Sequence, residues 1–201
     1  MAVRGVVFDV GNVIVRWDPR TLYCKIFSDP AACDAFLANV CTMEWNGRHD
    51  MGVSFADNRA ALTAQHPEHA AAILAWEVRW LEMFSGAIPQ TEAAMAALAA
   101  RGVPLFALTN MSTEVEDIVF AMSPAFALFH DRVVSGREGI IKPDPRIFQR
   151  MIERARMAPA ELLFIDDVAA NVEAAAAAGF DIHHFVDPDA LWPALEARGL
   201  L

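Results

Sequence analysis

The amino-acid sequence predicts an α/β protein: a doubly wound, Rossmann-like parallel sheet with an inserted helical cap domain. Two observations point there. Short apolar runs, each stopped by polar or turn residues, fall at 3–9, 103–108, 132–135, 162–165 and 180–186, and helical segments separate most of them. Strands alternating with helices close into parallel sheets through right-handed crossovers. The stretch 19–86 breaks that alternation, because it carries helical pattern and no convincing strand.

The first run, Val6-Val7-Phe8, ends at Asp9; the turn pair Gly11-Asn12 follows, then a second apolar run, Val13-Ile14-Val15. A short β-branched run closed by turn residues reads as a buried strand. Helical patches cover 19–27, 30–43, 55–65 and 67–84. Asp18-Pro19 and Asp29-Pro30 place a capping acid before a proline, which suits a helix start. Asn46-Gly47 and Met51-Gly52 read as breaks between helices. Further helices are expected at 90–101, 145–156, 168–178 and 190–197, with Gly102 and Gly179 as C-terminal stops. The alanine run at 174–178 suits a helix face that comes close to a sheet. The expected division is a core of 1–15 and 88–201, with 16–87 as the inserted helical domain.

The composition narrows the function. A chain of 201 residues can bury a real core and still carry an insertion. Its net charge of −10 argues against non-specific nucleic-acid binding, which needs basic clusters. A local site can still oppose the global sign and hold an anion. The three cysteines, Cys24, Cys33 and Cys41, include no Cys-x-x-Cys pair and fit a reducing compartment. No apolar stretch approaches the ~20 residues of a membrane span. The expectation is a soluble cytoplasmic protein, monomer or homodimer, with no nucleic-acid or membrane partner.

In a sheet of this kind, ligands bind beyond the carboxyl ends of the strands. The polar residues expected there are Asp9, Thr109-Asn110, Lys142 and Asp166-Asp167. Taken singly, each suits a bland role as a turn residue, a helix cap or a solvated lysine. Their recurrence at successive strand ends does not. Carboxylates converging to about 5 Å repel by roughly 3 kcal/mol per pair at an effective dielectric near 20. A divalent cation that prefers oxygen ligands offsets this; Mg2+ takes one or two carboxylates, keeps water and reaches phosphate. Lys142 would neutralise further phosphate charge, Thr109 would hold phosphate oxygens, and Asp9 stands as the nucleophile.

These residues carry a family resemblance. Phe8-Asp9-Val10-Gly11-Asn12-Val13, Leu108-Thr109-Asn110, Lys142-Pro143 and Phe164-Ile165-Asp166-Asp167 with Asn171 resemble, in order, the motifs of the haloacid dehalogenase-like hydrolases. The insertion after the first motif is similar to that family's helical cap. The first motif most resembles the branch of sugar-1-phosphate phosphatases and epoxide hydrolase phosphatase domains. The resemblance implies a magnesium-dependent phosphatase that hydrolyses a small phosphorylated metabolite, with a sugar phosphate as a guess, through an aspartyl-phosphate on Asp9. It implies metal binding by Asp9, the Gly11 carbonyl, Asp167, and Asp166 directly or through water. Thr109 and Asn110 would hold the phosphoryl group, and Lys142 would steady it and Asp9.

One departure stands out. Many phosphatases of the family carry a second aspartate two residues after the nucleophile as general acid and base, and this chain has Gly11. A substrate with a better leaving group, a water, or His49 or Asp50 from the cap would make up for it. A haloacid dehalogenase needs no acid and is the alternative reading, although that branch replaces the acidic pair that Asp166-Asp167 keeps. A non-catalytic phosphate-binding or partner-binding module is the second alternative. Substrate contacts are expected from the cap, with Trp17, Trp45, Arg48, His49 and Asp50 as candidates. Trp45 would stack on a sugar or pack in the cap core, and Arg48 would bind an anion or lie exposed.

Overall fold

A computed structural model describes residues 2–201. The chain opens with β1 (Gly5–Phe8) and β2 (Val15–Trp17). Five helices follow: α1 (Arg20–Ile26), α2 (Pro30–Asn39), α3 (Met43–Asp50), α4 (Phe55–Gln65) and α5 (Ala70–Val78). Then come β3 (Phe84–Ala87), α6 (Pro89–Ala100), β4 (Leu105–Thr109), α7 (Glu116–Phe120), β5 (Phe129–Val134) and the single-turn α8 (Ser135–Glu138). The chain closes through α9 (Pro145–Ala155), β6 (Leu162–Asp166), α10 (Ala169–Ala177), β7 (Asp181–His184) and α11 (Leu191–Glu196).

The main sheet has the order β5-β4-β1-β6-β7, and every neighbouring pair is parallel. Side chains alternate across it, so Val6 and Phe8 of β1 join one core cluster and Val7 the other. Ile147, Phe148 and Met151 of α9 cover the Val7 face together with Ala175 of α10. Met95 and Leu98 of α6, with Leu191 and Leu195 of α11, cover the opposite face. Burial on both faces is why the central strands are continuous apolar runs rather than alternating ones. This is the expected doubly wound architecture.

The turn after β1 is built by its sequence. Asn12 adopts a left-handed conformation (φ 55°), which asparagine tolerates better than most residues. Its N–H donates to the Val15 carbonyl at 2.7 Å, and its side-chain oxygen accepts the Trp17 N–H at 3.0 Å. This starts β2, which pairs antiparallel with β3 and ties the two ends of the helical stretch together. β3 corrects the expectation of no strand across 19–86. Its sequence, Phe-Ser-Gly-Ala, has no β-branched residue and shows no alternation, so only the pairing reveals it.

Other boundaries also shift. The patch at 30–43 ends as a helix at Asn39, and Thr42 then caps α3 by accepting the Trp45 N–H at 3.0 Å. Asn46-Gly47 is no break, since both residues lie inside α3. The patch at 67–84 divides into α5 flanked by 3-10 turns. No helix among the described residues is long and apolar enough to cross a membrane.

The break after α3 falls at Gly52, with φ +94°. A Cβ there would sit 2.9 Å from the Gly136 carbonyl oxygen, so the helical stretch comes close to the backbone of α8, just after the edge strand β5. Gly52→Ala is therefore expected to cost about 1–3 kcal/mol, combining backbone strain with overlap. Gly102→Ala, also at positive φ but with open space around it, is the control and should cost less. Urea midpoints of the two variants check this.

Candidate active site

Asp9 leaves β1 with its N–H donating to the Ile165 carbonyl of β6 at 2.9 Å, which extends the ladder and holds the residue at the sheet's carboxyl edge. Lys142 Nζ lies 2.9 Å from the Asp9 carboxylate, 2.7 Å from Asp166 and 2.9 Å from the Leu108 carbonyl. An ammonium has three protons to donate, and these three oxygens take them. Lys142 is only 3% exposed, so it is a buried charge rather than a solvated surface lysine.

Asn110 sets that lysine. Its amide donates to the Lys142 carbonyl at 3.0 Å, and its side-chain oxygen accepts the Lys142 N–H at 2.8 Å. The side chain expected on the phosphoryl group is thus engaged with the lysine backbone. Thr109, at the end of β4, lines the same cavity.

Asp166 is fully buried. It accepts the Val168 N–H at 2.8 Å and the Asn171 amide on both oxygens, at 3.0 and 3.1 Å. Asp167 is half-buried and lines the cavity. Asp9, Asp166 and Asp167 each offer an oxygen, all within 4.8 Å of one another.

The electrostatics follow from this crowding. Burial pushes the Asp9 carboxyl up to about 7; Asp166 and Asp167 add to the rise, and Lys142 opposes it. Burial also raises Asp167, and Asp166 adds to that. Burial alone would depress Lys142, but Asp9 and Asp166 outweigh it and hold the lysine charged. One ammonium thus stands against three carboxylates. The donor set is hard oxygen throughout, and it suits a divalent cation of the magnesium type. Asp166 already meets three protein groups, which leaves Asp9 and Asp167 as the freer ligands.

Above this floor is a cavity of about 240 Å³. Of the candidates from the helical stretch, Trp17, His49 and Asp50 line it. Trp45 and Arg48 do not. Trp45 is buried against Trp76 with ring centroids 5.2 Å apart, and its indole N–H donates to the Asn58 carbonyl. Arg48 is exposed on the outer side of α3. Sequence reasoning missed Asn46, whose amide donates to the Asp50 carboxylate at 3.1 Å. It also missed Ser135, whose hydroxyl donates to the Asp50 carbonyl at 2.6 Å and accepts the Met111 N–H at 2.9 Å. The i, i+4 spacing of Asn46 and Asp50 within one helix was a usable signal for the first pair; nothing in the sequence marks the second.

His49 and Asp50 now separate as proton donors. Nδ1 of His49 faces the Val53 carbonyl at 3.4 Å, and Nε2 faces the Asn58 amide at 3.1 Å. That pattern needs a neutral ring, donating at Nδ1 and accepting at Nε2. Burial lowers His49 to about 4, and Arg48 pushes the same way. The unfolded chain takes this proton near pH 6.5 and the folded chain only near 4, so stability present above 6.5 is lost as the pH falls between those values. Relative to His49→Gln, the protein is expected to lose roughly 2–3 kcal/mol between pH 7 and 4, read from urea midpoints at each pH. Asp50 behaves oppositely. Burial raises it to about 7, with Asp9 adding and Lys142 opposing.

A parallel sheet with an acid–lysine cluster at its carboxyl edge and a helix-lined cavity beside it is the arrangement of a hydrolase-type site. The profile of the haloacid dehalogenase-like hydrolases matches residues 3–179, and the chain belongs to that family. Among curated relatives, a 65-residue stretch is 42% identical to mouse acyl-CoA dehydrogenase family member 10, spanning 32% of this chain and 6% of that protein. Phosphoglycolate phosphatase of Yersinia pseudotuberculosis is 27% identical over 192 residues, covering 89% of this chain and 78% of that one. Among solved structures, a predicted HAD-like hydrolase from Porphyromonas gingivalis superposes with a TM-score of 0.73 at 24% identity, covering 100% and 98% of the two chains. A magnesium complex of a HAD family enzyme from Bacteroides thetaiotaomicron gives 0.71 at 17%, covering 96% and 99%. The L-2-haloacid dehalogenase of Xanthobacter autotrophicus gives 0.65 at 16%, covering 99% and 84%. These superpositions establish the shared fold.

Proposed function

We propose that the protein is a magnesium-dependent phosphomonoesterase for a small phosphorylated metabolite, with the helices between β2 and β3 acting as its cap. The observation that carries this is Lys142, buried between Asp9 and Asp166 beside an intact Asp166-Asp167 pair. One ammonium against three carboxylates leaves two negative charges, which a divalent ion offsets so that a phosphate can approach Asp9. A haloacid bound without an ion would bring a further carboxylate to that uncompensated excess. The similarity to a phosphoglycolate phosphatase over most of both chains supports the same side.

Asp9, Asp167 and the Gly11 carbonyl would hold Mg2+, with Asp166 behind them. The bound ion supplies charge neutralisation of the phosphate. Lys142 keeps Asp9 ionised and oriented, while Thr109 lies where it can donate to a phosphoryl oxygen. The Asp9 oxygen attacks phosphorus, the ester P–O bond breaks, and an aspartyl-phosphate forms on Asp9. The departing alkoxide needs a proton. Asp50, set in the cavity by Asn46 and Ser135, donates it and then takes one from the water that hydrolyses the intermediate. This role replaces the acid that Gly11 lacks.

A panel of phosphate esters, run with and without magnesium beside 2-chloropropionate, tests the reading. Phosphate release is expected with added Mg2+ and is lost with chelator. Chloride release without metal, and no phosphate release, would overturn it in favour of the dehalogenase.

A further inference from the structure

We propose that the body of the substrate beyond its phosphate is apolar, an aliphatic or terpenoid-like alcohol rather than a sugar; this rests on the phosphatase reading above. The cavity above the acid–lysine floor is lined by Met43 and Phe55 of the helical stretch, Trp80 and Phe84 near its end, and Met111 and Val119 after β4. They come from separate parts of the chain and meet only in the fold, around one cavity.

Several polar groups lining that cavity are engaged already, with the Trp17 indole N–H the exception. Both ring nitrogens of His49 are bonded to the protein. The Asn46 amide donates to Asp50. The Ser112 hydroxyl accepts the Glu114 N–H at 3.2 Å. A sugar entering here would exchange water around several hydroxyls for methyl, thioether and aromatic surface. Buried hydroxyls without partners are penalised strongly. An alkyl body gains instead, at about fourfold in affinity per buried methylene. The polar requirement of the site then reduces to its floor for the phosphate and Asp50 for the leaving oxygen.

The test uses the full-length protein with saturating magnesium and two matched series. In the first, kcat/KM is measured for n-alkyl phosphates from ethyl to octyl and for glucose 1-phosphate and glucose 6-phosphate. The expected result is a rise of about fourfold per methylene over the first several carbons, with the longer esters at least 100-fold above both sugars. In the second, calorimetry follows binding of n-alkyl phosphonates, which cannot be hydrolysed. Their affinity should climb with the same slope, and Met43→Ser should make it shallower without lowering the melting temperature, since Met43 is 58% exposed. A flat series, or a preference for the sugars with phosphatase activity intact, overturns the proposal alone. Phosphonate binding that climbs with length while no ester releases phosphate overturns the phosphatase reading and leaves the apolar wall standing.

Discussion

Asp9→Asn is expected to abolish turnover, by on the order of 10⁵-fold or more as for loss of a nucleophile, while the protein stays folded. The first half follows from chemistry. An amide in place of the carboxylate offers no anionic oxygen to attack phosphorus, and no other carboxylate takes its position. Asp166 is bound by Lys142, Val168 and Asn171, and Asp167 lies beyond it along the chain. The second half follows from the crowding. Burial and two neighbouring acids already disfavour the Asp9 charge, so removing it relieves repulsion. Lys142 keeps Asp166 and the Leu108 carbonyl, and no buried ammonium is orphaned. A melting temperature equal to or above that of the unsubstituted protein, with phosphate release lost, is the expected pair of results. A variant that still turns over would remove Asp9 as nucleophile.

Asp50→Asn should slow formation of the aspartyl-phosphate, read as single-turnover release of the alcohol, by about 10²–10⁴-fold, the usual worth of general acid–base help, but only where the leaving group needs it. For an alkyl phosphate the whole factor should appear. For p-nitrophenyl phosphate, whose phenolate leaves unprotonated, the first step should be nearly unaffected. Asparagine keeps the size and the bond to Asn46, so a change confined to one leaving-group class reports the proton. Gly11 offers a second check. A Cβ there meets nothing within 4 Å, and its φ is not among the positive ones, so Gly11→Asp fits without strain. In the Asp50→Asn background it should restore much of the lost alkyl-phosphate activity. Equal losses on both esters in that first step, with no rescue, would assign Asp50 to positioning alone.

Much of the sheet was legible because its strands are buried on both faces. Val6-Val7-Phe8 and Leu162-Leu163-Phe164-Ile165 can be nothing but core, and the acids that stop them fall at the edge where ligands bind. The site residues on that edge were legible for the same reason, since a polar residue ending an apolar strand has one place to go. The cap was not. Its contacts join residues far apart in sequence and depend on which face of each helix turns inward. Trp45 and Asp50 lie five residues apart on α3, and one packs into the cap while the other enters the cavity. Asn110 shows a different limit. Its place beside the acid–lysine cluster follows from the motif, but its engagement with the Lys142 backbone depends on a loop 32 residues away.

The hydroxyl of Ser135 joins the loop after β4 to the end of α3, on the backbone of Asp50 itself. The end of α3 that carries Asp50 is therefore tied to the segments after β4 and β5, whereas Phe55 and Trp80 answer to packing elsewhere in the helical stretch. Chemistry and taste are housed on separate supports. Under the proposed reading, substitutions at Phe55 or Trp80 would redraw the chamber while Asp50 keeps its place.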